Sequence, residues 1–356
     1  MHGTRHGILV RAEELRRLQS ATRLLILQTP TPEVRSRLSS KVRLHFGRIR
    51  DNYLALPQLR VDRLLLAKLG YCPLPDFLII GAQKAGTSSL YAHLCAQQGV
   101  HRAMRKEVRF FDQEYARGVT WYRAFFPPRG TTGTRLTGEA TPNYFVHPMA
   151  PARVAETLPD VRLIAILRNP VERIVSNHRH EVTAGHISKK HHPFSAALNN
   201  NPAYIMQSRY TLHLKNWLEH FPSRQLKVFF FDDLRADPAS FLHSLYEYLD
   251  VDPDFIPVGF SEPANVGRIP GNRGVDKSIA SAGRFLRAIG LDGLIRLIRR
   301  TGIKDRVQQT NTNREISAIA EVSEQQQAEL RELLREDILE LSRLTERDLT
   351  GWTTPS

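Results

Sequence analysis

The stretch that most constrains this chain runs from Pro75 to Leu90. Phe77 to Ile80 is a short apolar run that reads as a buried strand. A small-residue turn with two glycines follows, and then a helical pattern on Leu90 and Leu94. Strand, glycine turn and helix start together aim backbone N–H groups at one point, which is an anion site. Gly81 and Gly86 keep the G-x-x-x-x-G spacing of a phosphate loop. The nucleoside-triphosphate version continues at once with Lys and then Ser or Thr. Here position 87 is Thr, and the lysine, Lys84, lies inside the loop. A tight strand-to-helix turn that binds nothing would use glycines in the same way.

Apolar runs and helical patterns alternate after the loop. Leu136 to Phe145 reads as a strand running into a polar, Pro-containing loop. Val161 to Leu167 is a buried strand ending in Arg168, Asn169 and Pro170, and Leu226 to Phe231 is a third, ending in Asp232 and Asp233. Pro170, Glu172 and Arg173 open a helix that carries Ser176. Leu212, Trp217 and Leu218 mark a further helix, and Asp237-Pro238 starts one through Phe241, Leu245 and Tyr248. Arg105 to Asp112 alternates charged and apolar residues and reads as a short extended segment pinned by Phe110 and Phe111. The pattern predicts an α/β fold: a P-loop-type central parallel sheet flanked by helices, with helical N- and C-terminal extensions. Ligands of such sheets bind beyond the carboxyl ends of the strands. Residues 81–87, Glu139 to Tyr144 and Arg168 to Ser176 are therefore expected at one edge. Residues 322–344 predict a terminal helix with a capping box on Ser323 and Gln326 and an apolar face of Leu330, Leu334, Ile338 and Leu341.

Charge separates the body from its ends. The chain of 356 residues carries a net charge of +14. Residues 1–70 hold 14 Lys and Arg against 5 Asp and Glu, residues 284–306 hold 7 against 2, and the remainder balances. Two basic appendages on a neutral body point to a local anionic surface or partner rather than to nucleic acid. Phe285 to Arg300 mixes bulky apolar residues with arginine. Such a helix could lie peripherally on an anionic inner membrane surface, or pack on the body with its arginines solvated. Only two cysteines occur, Cys72 and Cys95, with no C-x-x-C pair, which fits a reducing compartment and gives no thiolate metal site. No apolar run reaches the length of a membrane span, and no signal-type apolar region opens the chain. A cytoplasmic protein is the expectation.

The loop also lacks something. A Walker-type enzyme needs Ser or Thr after its Lys, and an Asp at the end of a neighbouring strand to hold Mg²⁺. The strand ending at Leu167 delivers Arg168 instead. Cations without a metal carboxylate suit an anion that is already activated. Adenosine 3′-phosphate 5′-phosphosulfate (PAPS) is one: its sulfuryl group carries less charge than a phosphoryl group, and it leaves behind a phosphate.

At this point four motifs resemble one family. Gly81 to Ser89 looks like the 5′-phosphosulfate loop of PAPS-dependent sulfotransferases, and Arg168 to Ser176 looks like their 3′-phosphate motif. Lys106 to Asp112 and Glu139 to Phe145 resemble the heparan sulfate sulfotransferase branch and its bacterial relatives, as does the terminal Leu349-Thr350-Gly351-Trp352. The resemblance implies roles. Lys84 would bind the 5′-phosphate side and follow charge onto the bridging oxygen. Backbone N–H groups of Ala85, Gly86, Thr87 and Ser88 would cradle that phosphate. Arg168 and Ser176 would bind the 3′-phosphate, and Glu107 would be the general base. A late donor-covering loop would fall within Asn265 to Gly274, with Arg268 and Arg273 as its cations. The implied reaction moves a sulfuryl group from PAPS to a hydroxyl or amine and releases adenosine 3′,5′-bisphosphate without a metal. The acceptor would be a glycan, glycolipid or small molecule. Two positions depart from the heparan branch: Arg109 stands where its members have His, and Ala140 where they have Lys.

Three regions follow: a basic helical extension over 1–70, a PAPS-binding core over 71–260, and a donor-covering loop, basic segment and C-terminal helix over 261–356. Other readings stay open, namely a nucleotide kinase or NTPase with an aberrant loop, or a non-enzymatic basic adaptor for acidic surfaces. His178, His180, His186, His191 and His192 are crowded enough to raise metal binding. Their spacings fit no common helical ligand set, so no metal is expected and they read as a solvated helix end or an acceptor-channel loop.

Overall fold

The structure is a computed structural model that describes residues 61–128, 136–255 and 321–354. Most of the basic extension, the donor-covering loop with Arg268 and Arg273, and the basic stretch at 285–300 lie outside the described residues.

A short helix, α1 (Val61–Lys68), leads into β1 (Phe77–Gly81), whose five residues are all buried. A strand of continuous apolar residues is covered on both faces, as parallel strands are. The chain then forms α2 (Thr87–Leu94), β2 (Val100–Arg102), α3 (Val119–Arg123) and β3 (Leu136–Ala140). After α4 (Ala150–Thr157) comes β4 (Arg162–Leu167), apolar and buried from Leu163 onward. The helices α5 (Pro170–Ala184), α6 (Phe194–Asn200), α7 (Ala203–Met206) and α8 (Tyr210–Leu218) precede β5 (Leu226–Phe230). Two helices, α9 (Phe231–Ala236) and α10 (Pro238–Leu249), follow, and α11 (Glu324–Thr345) is the last.

The five strands make one parallel sheet in the order β2-β3-β1-β4-β5. The edge positions explain two compositions. On β5, Lys227 points to solvent between buried Leu226 and Phe229, and β2 has only three residues; short or charged strands suit an edge. The expected strands at 77–80, 161–167 and 226–231 are all present, shifted by a residue at most at their inner ends.

Two compact units divide the chain. Among the described residues, one takes those up to Asp76 together with those of Gly99–Glu139, and the other takes Phe77–Gln98 and those from Ala140 onward. The first has an aromatic core. Phe110 stacks on Tyr122 at 4.5 Å, and Phe111, Trp121, Phe125 and Phe126 surround that pair. The second is built on β1, β4 and β5. Its helix α11 is capped as expected: Ser323 Oγ accepts from Gln326 N at 3.2 Å, while Ser323 N donates to Gln326 Oε1 at 3.0 Å. Leu330, Leu334, Ile338 and Leu341 are buried, each worth about 1.5–3 kcal/mol of transfer free energy. The helix is fixed on α8, where Thr211 Oγ1 donates to the Asp337 carbonyl at 2.9 Å.

The segment from Arg105 to Asp112 is not extended. Residues 105–109 are irregular, and a π-helical turn covers Phe110–Glu114. Arg109 adopts a left-handed conformation (φ 62°) and turns the chain so that both phenylalanines enter the aromatic core.

Candidate active site

The phosphate loop and the arginine motif meet at the carboxyl ends of β1 and β4. These strands pair in parallel, so residues 81–87 and 168–176 leave at the same edge. Each glycine of the loop has a steric reason. A Cβ at Gly81 would lie 2.5 Å from the Cβ of Phe145, because the turn from Pro142 to Tyr144 folds over the strand end, where Phe145 N donates to Ile80 O at 2.9 Å. Gly86 has φ 94°, and a Cβ there would lie 2.9 Å from the ring of Phe231. Lys84 is itself left-handed, φ 69°. A lysine in this region costs about 1–2 kcal/mol, a strain of the kind found at ligand clamps. Gly86 caps α2 without a side-chain hydrogen bond, so the helix opens on backbone donors. Thr87 is buried and Ser88 is exposed.

Arg168 follows β4 directly and is held at both ends. Its carbonyl accepts from the hydroxyl of Tyr210 at 2.9 Å. Its guanidinium lies 5.0 Å above the ring of Phe231 and donates through Nε (2.9 Å) and Nη2 (2.6 Å) to one oxygen of Glu172. Phe231 therefore touches both the site of Gly86 and the guanidinium of Arg168. One ring joins the glycine loop and the arginine motif. Asn169 caps α5 by accepting from Val171 N at 3.0 Å and Glu172 N at 3.4 Å, and Pro170 starts the helix, as its sequence predicts. Ser176 lies farther along α5 and is half-buried.

Beneath this motif sits a buried cation. Arg173 is fully buried and donates to Ser208 Oγ (2.5 Å), Gln207 Oε1 (3.3 Å) and the carbonyl of Tyr204 (2.6 Å). Burial pulls its pKa down from the usual arginine range, and the same burial pushes the Tyr210 phenol up. Ser208 Oγ in turn donates to the carbonyl of Pro170 at 3.2 Å. This network ties the turn after β4 to residues 204–210.

The carboxylates that follow β5 are already engaged. Asp232 Oδ2 accepts from Trp352 Nε1 at 2.6 Å, and Asp233 pairs with Arg347.

Glu107 belongs to the other unit. Its side chain is 45% exposed and pairs with Lys106 Nζ at 3.3 Å. Two residues on, Arg109 donates through Nε (3.0 Å) and Nη2 (2.6 Å) to Asp112, whose side chain is buried. Glu139, near the end of β3, is fully buried; it accepts from Val108 N at 2.9 Å and from the Tyr122 hydroxyl at 2.8 Å.

The histidines divide. His178 is buried, with Nε2 on the carbonyl of His192 at 2.8 Å and Nδ1 3.3 Å from the Tyr204 hydroxyl; burial lowers its pKa. His192 is buried as well, so neither is a solvated helix end. His180 and His186 come together with Glu181: one potential ligand atom from each lies within 4.8 Å of the others. The αL glycine at Gly185 folds the chain back so that His186 N reaches Glu181 O at 3.0 Å.

The turn of Lys84 to Ser88 and Arg168 follow the carboxyl ends of the neighbouring parallel strands β1 and β4, as expected, while Ser176 lies inside α5. Arg273 lies outside the described residues. Phe231, Glu172 and Tyr210 were missed as site residues. Phe231 closes an apolar run and so looks like one more strand residue. Glu172 at i+4 from Arg168 was legible as an ion-pair spacing.

No helix among the described residues is long and apolar enough to cross a membrane. The sulfotransferase domain family matches residues 74–258. Among curated relatives, human heparan sulfate glucosamine 3-O-sulfotransferase 3A1 is 34% identical over 191 residues, covering 52% of this chain and 46% of the relative. The bifunctional heparan sulfate N-deacetylase/N-sulfotransferase 1 of Caenorhabditis elegans is 34% identical over 197 residues, 51% of this chain and 22% of the relative. The chain thus spans less than half the length of these relatives. The crystal structure of a sulfotransferase from Alicyclobacillus acidocaldarius superposes over 79% of this chain and all of its own, with a TM-score of 0.54 and 21% identity, a likeness of fold. With half of its length matched by the domain and its core folded in the same way, the chain belongs to the sulfotransferase domain family.

Proposed function

We propose that this protein transfers a sulfuryl group from PAPS to a hydroxyl or amine of a glycan or related acceptor. One observation carries the reading. A phosphate loop with a left-handed lysine and the arginine after the neighbouring strand share a single aromatic ring, Phe231. Such an edge offers two cationic anion sites on one support, which suits a donor with phosphates at both its 5′ and 3′ positions. The membership in the sulfotransferase family supports the donor, and the heparan sulfate names of the relatives support a glycan acceptor.

In the proposed reaction, Glu107 takes the proton of the acceptor hydroxyl or amine while that oxygen or nitrogen attacks sulfur. As the new bond forms, the bond from sulfur to the bridging oxygen breaks, and the electron pair stays on the departing 5′-phosphate. Lys84 and the N–H groups of residues 85–88 hold that growing charge. Arg168 and Ser176 hold the 3′-phosphate, where the guanidinium would exchange Glu172 for a phosphate oxygen. Glu107 is suited to its role by its exposure, since a base must reach a separate acceptor.

A second reading, a Walker-type kinase, is disfavoured by Arg168, which stands at the end of the neighbouring strand β4 where such an enzyme would place a metal-binding Asp. Calorimetric titration tests both. Tight, Mg²⁺-independent binding of adenosine 3′,5′-bisphosphate supports the sulfotransferase reading, and preference for ADP with Mg²⁺ overturns it. Turnover of PAPS with a panel of heparan sulfate oligosaccharides and glycolipids then identifies the acceptor.

A further inference from the structure

The carboxylate of Glu139 is costly to bury, and two of the donors it accepts from show what it holds. Glu139 is 0% exposed at the end of β3. A carboxylate withdrawn from water needs donors aimed at its oxygens to offset the lost hydration. One donor is the hydroxyl of Tyr122, whose ring is clamped against Phe110 and Phe111. The other is the backbone N–H of Val108. That N–H belongs to the peptide unit formed by the carbonyl of Glu107, so the bond fixes the main chain from which the Glu107 side chain projects.

The neighbouring geometry needs such an anchor. Residues 105–109 lie in neither helix nor strand. At the end of this stretch Arg109 turns left-handed, and its carbonyl accepts from Gln113 N and Glu114 N, both at 3.0 Å. The turn is therefore held from Arg109 onward, while the peptide at 107–108 has the charge-assisted bond from Glu139, of the stronger class of hydrogen bond. All of these residues lie within one compact unit.

We propose that Glu139 is a positioning residue for the general base: it holds the 107–108 peptide so that the Glu107 carboxylate keeps one direction. It touches no reacting atom. The proposal rests on the reading of Glu107 as the base. Misplacing a catalytic group by about 1 Å can cost on the order of 10²-fold in rate, so loss of the anchor should appear in kcat rather than in donor binding.

The experiment compares Glu139→Ala, Glu139→Asp and Glu139→Gln with the wild type. Turnover of PAPS is measured with heparan sulfate oligosaccharides as the acceptor, with Glu107→Gln alongside. Hydrogen exchange is followed in peptides spanning residues 104–110. Alanine removes the acceptor, and aspartate keeps the charge but falls short of Val108, which preserves a test should alanine fail to fold. Glutamine can accept from Val108 with its oxygen and donate to the Tyr122 hydroxyl with its amide, so it should rescue. The expected result is faster exchange at Val108 and a kcat lower by about tenfold or more in Ala and Asp, donor KM within about twofold, and recovery of most of both in Gln. Unchanged exchange at Val108, or unchanged kcat in Ala and Asp while Glu107→Gln is inactive, overturns the proposal. If Glu107→Gln turns over like the wild type, the base assignment itself has failed and the proposal falls with it. The two failures are told apart by that variant alone.

Discussion

The donor edge and the base segment solve the same problem, holding a charged side chain in place, by opposite means. Around Lys84 and Arg168 much of the holding is steric packing at the strand ends, with the Arg168 guanidinium also paired to Glu172. Glycines make room, one aromatic ring fills the space between, and a tyrosine fixes a carbonyl. Around Glu107 the holding is polar and acts on the main chain, with a buried carboxylate 31 residues away in sequence gripping one backbone N–H. The first kind of support writes itself into the sequence as spacing. The second does not, because a glutamate on a strand looks the same whether it is solvated or buried.

The contrast can be broken from either side, and the largest effect is expected at the base. Glu107→Gln keeps the shape but cannot accept a proton, so kcat should fall roughly 10²-fold or more. Affinity for adenosine 3′,5′-bisphosphate should remain as in the wild type. A variant that loses both in parallel would show that the two regions are not separable.

Arg168→Ala is the counterpart. Loss of a charge-assisted bond to the 3′-phosphate should cost about 1.5–3 kcal/mol, roughly 10–150-fold in affinity. Ligands without that phosphate should be affected far less. Equal weakening of both ligand types in calorimetry would make Arg168 a scaffold residue and remove the 3′-phosphate assignment.

Gly86→Ala sharpens the steric half. A methyl at φ 94° and 2.9 Å from Phe231 is strained whatever the ring does, by about 1–3 kcal/mol. Thermal unfolding should register it, and donor binding should weaken because the ring beneath Arg168 must shift. Wild-type donor affinity in a destabilised Gly86→Ala would mean that the ring does not link the two elements.

The smallest effect is a control that should touch neither site. Burial raises the Asp337 pKa to about 6, while its unfolded value is about 3.9. Between those values the folded state binds more protons, so this group favours folding at acid pH. Its contribution is lost as pH rises from about 4 to about 6. Asp337→Asn should remove that slope from the unfolding midpoint and leave turnover alone. A midpoint difference between wild type and variant that is flat across this window would contradict the assignment.

Much of the fold was legible because β1, β4 and β5 are nearly pure apolar runs bounded by turn residues, and because Pro170 and Ser323 sit where helix starts need them. The phosphate loop was legible because glycines are demanded by close approach. The segment at 105–112 misled because its alternation has the period of a strand, while the left-handed Arg109 gives no sign of itself; Gly or Asn would have. His178 misled because a polar residue among charged neighbours reads as surface, and only the packing of α5 against residues 192–204 shows it buried. The Val108 N–H and the Tyr122 hydroxyl that bond to Glu139 come from different parts of the chain, and no local pattern could announce them.

The ring of Phe231 carries a consequence for how such a chain can change over generations. Any substitution at position 86 that adds a side chain demands a smaller residue at 231. A smaller residue at 231 withdraws the plate beneath Arg168. A lineage can therefore alter these three positions together or keep all three, with single steps penalised at each corner. Across relatives, positions 86, 168 and 231 should covary as a triplet, although they follow three different strands (β1, β4 and β5) and the outer two are 145 residues apart in the chain.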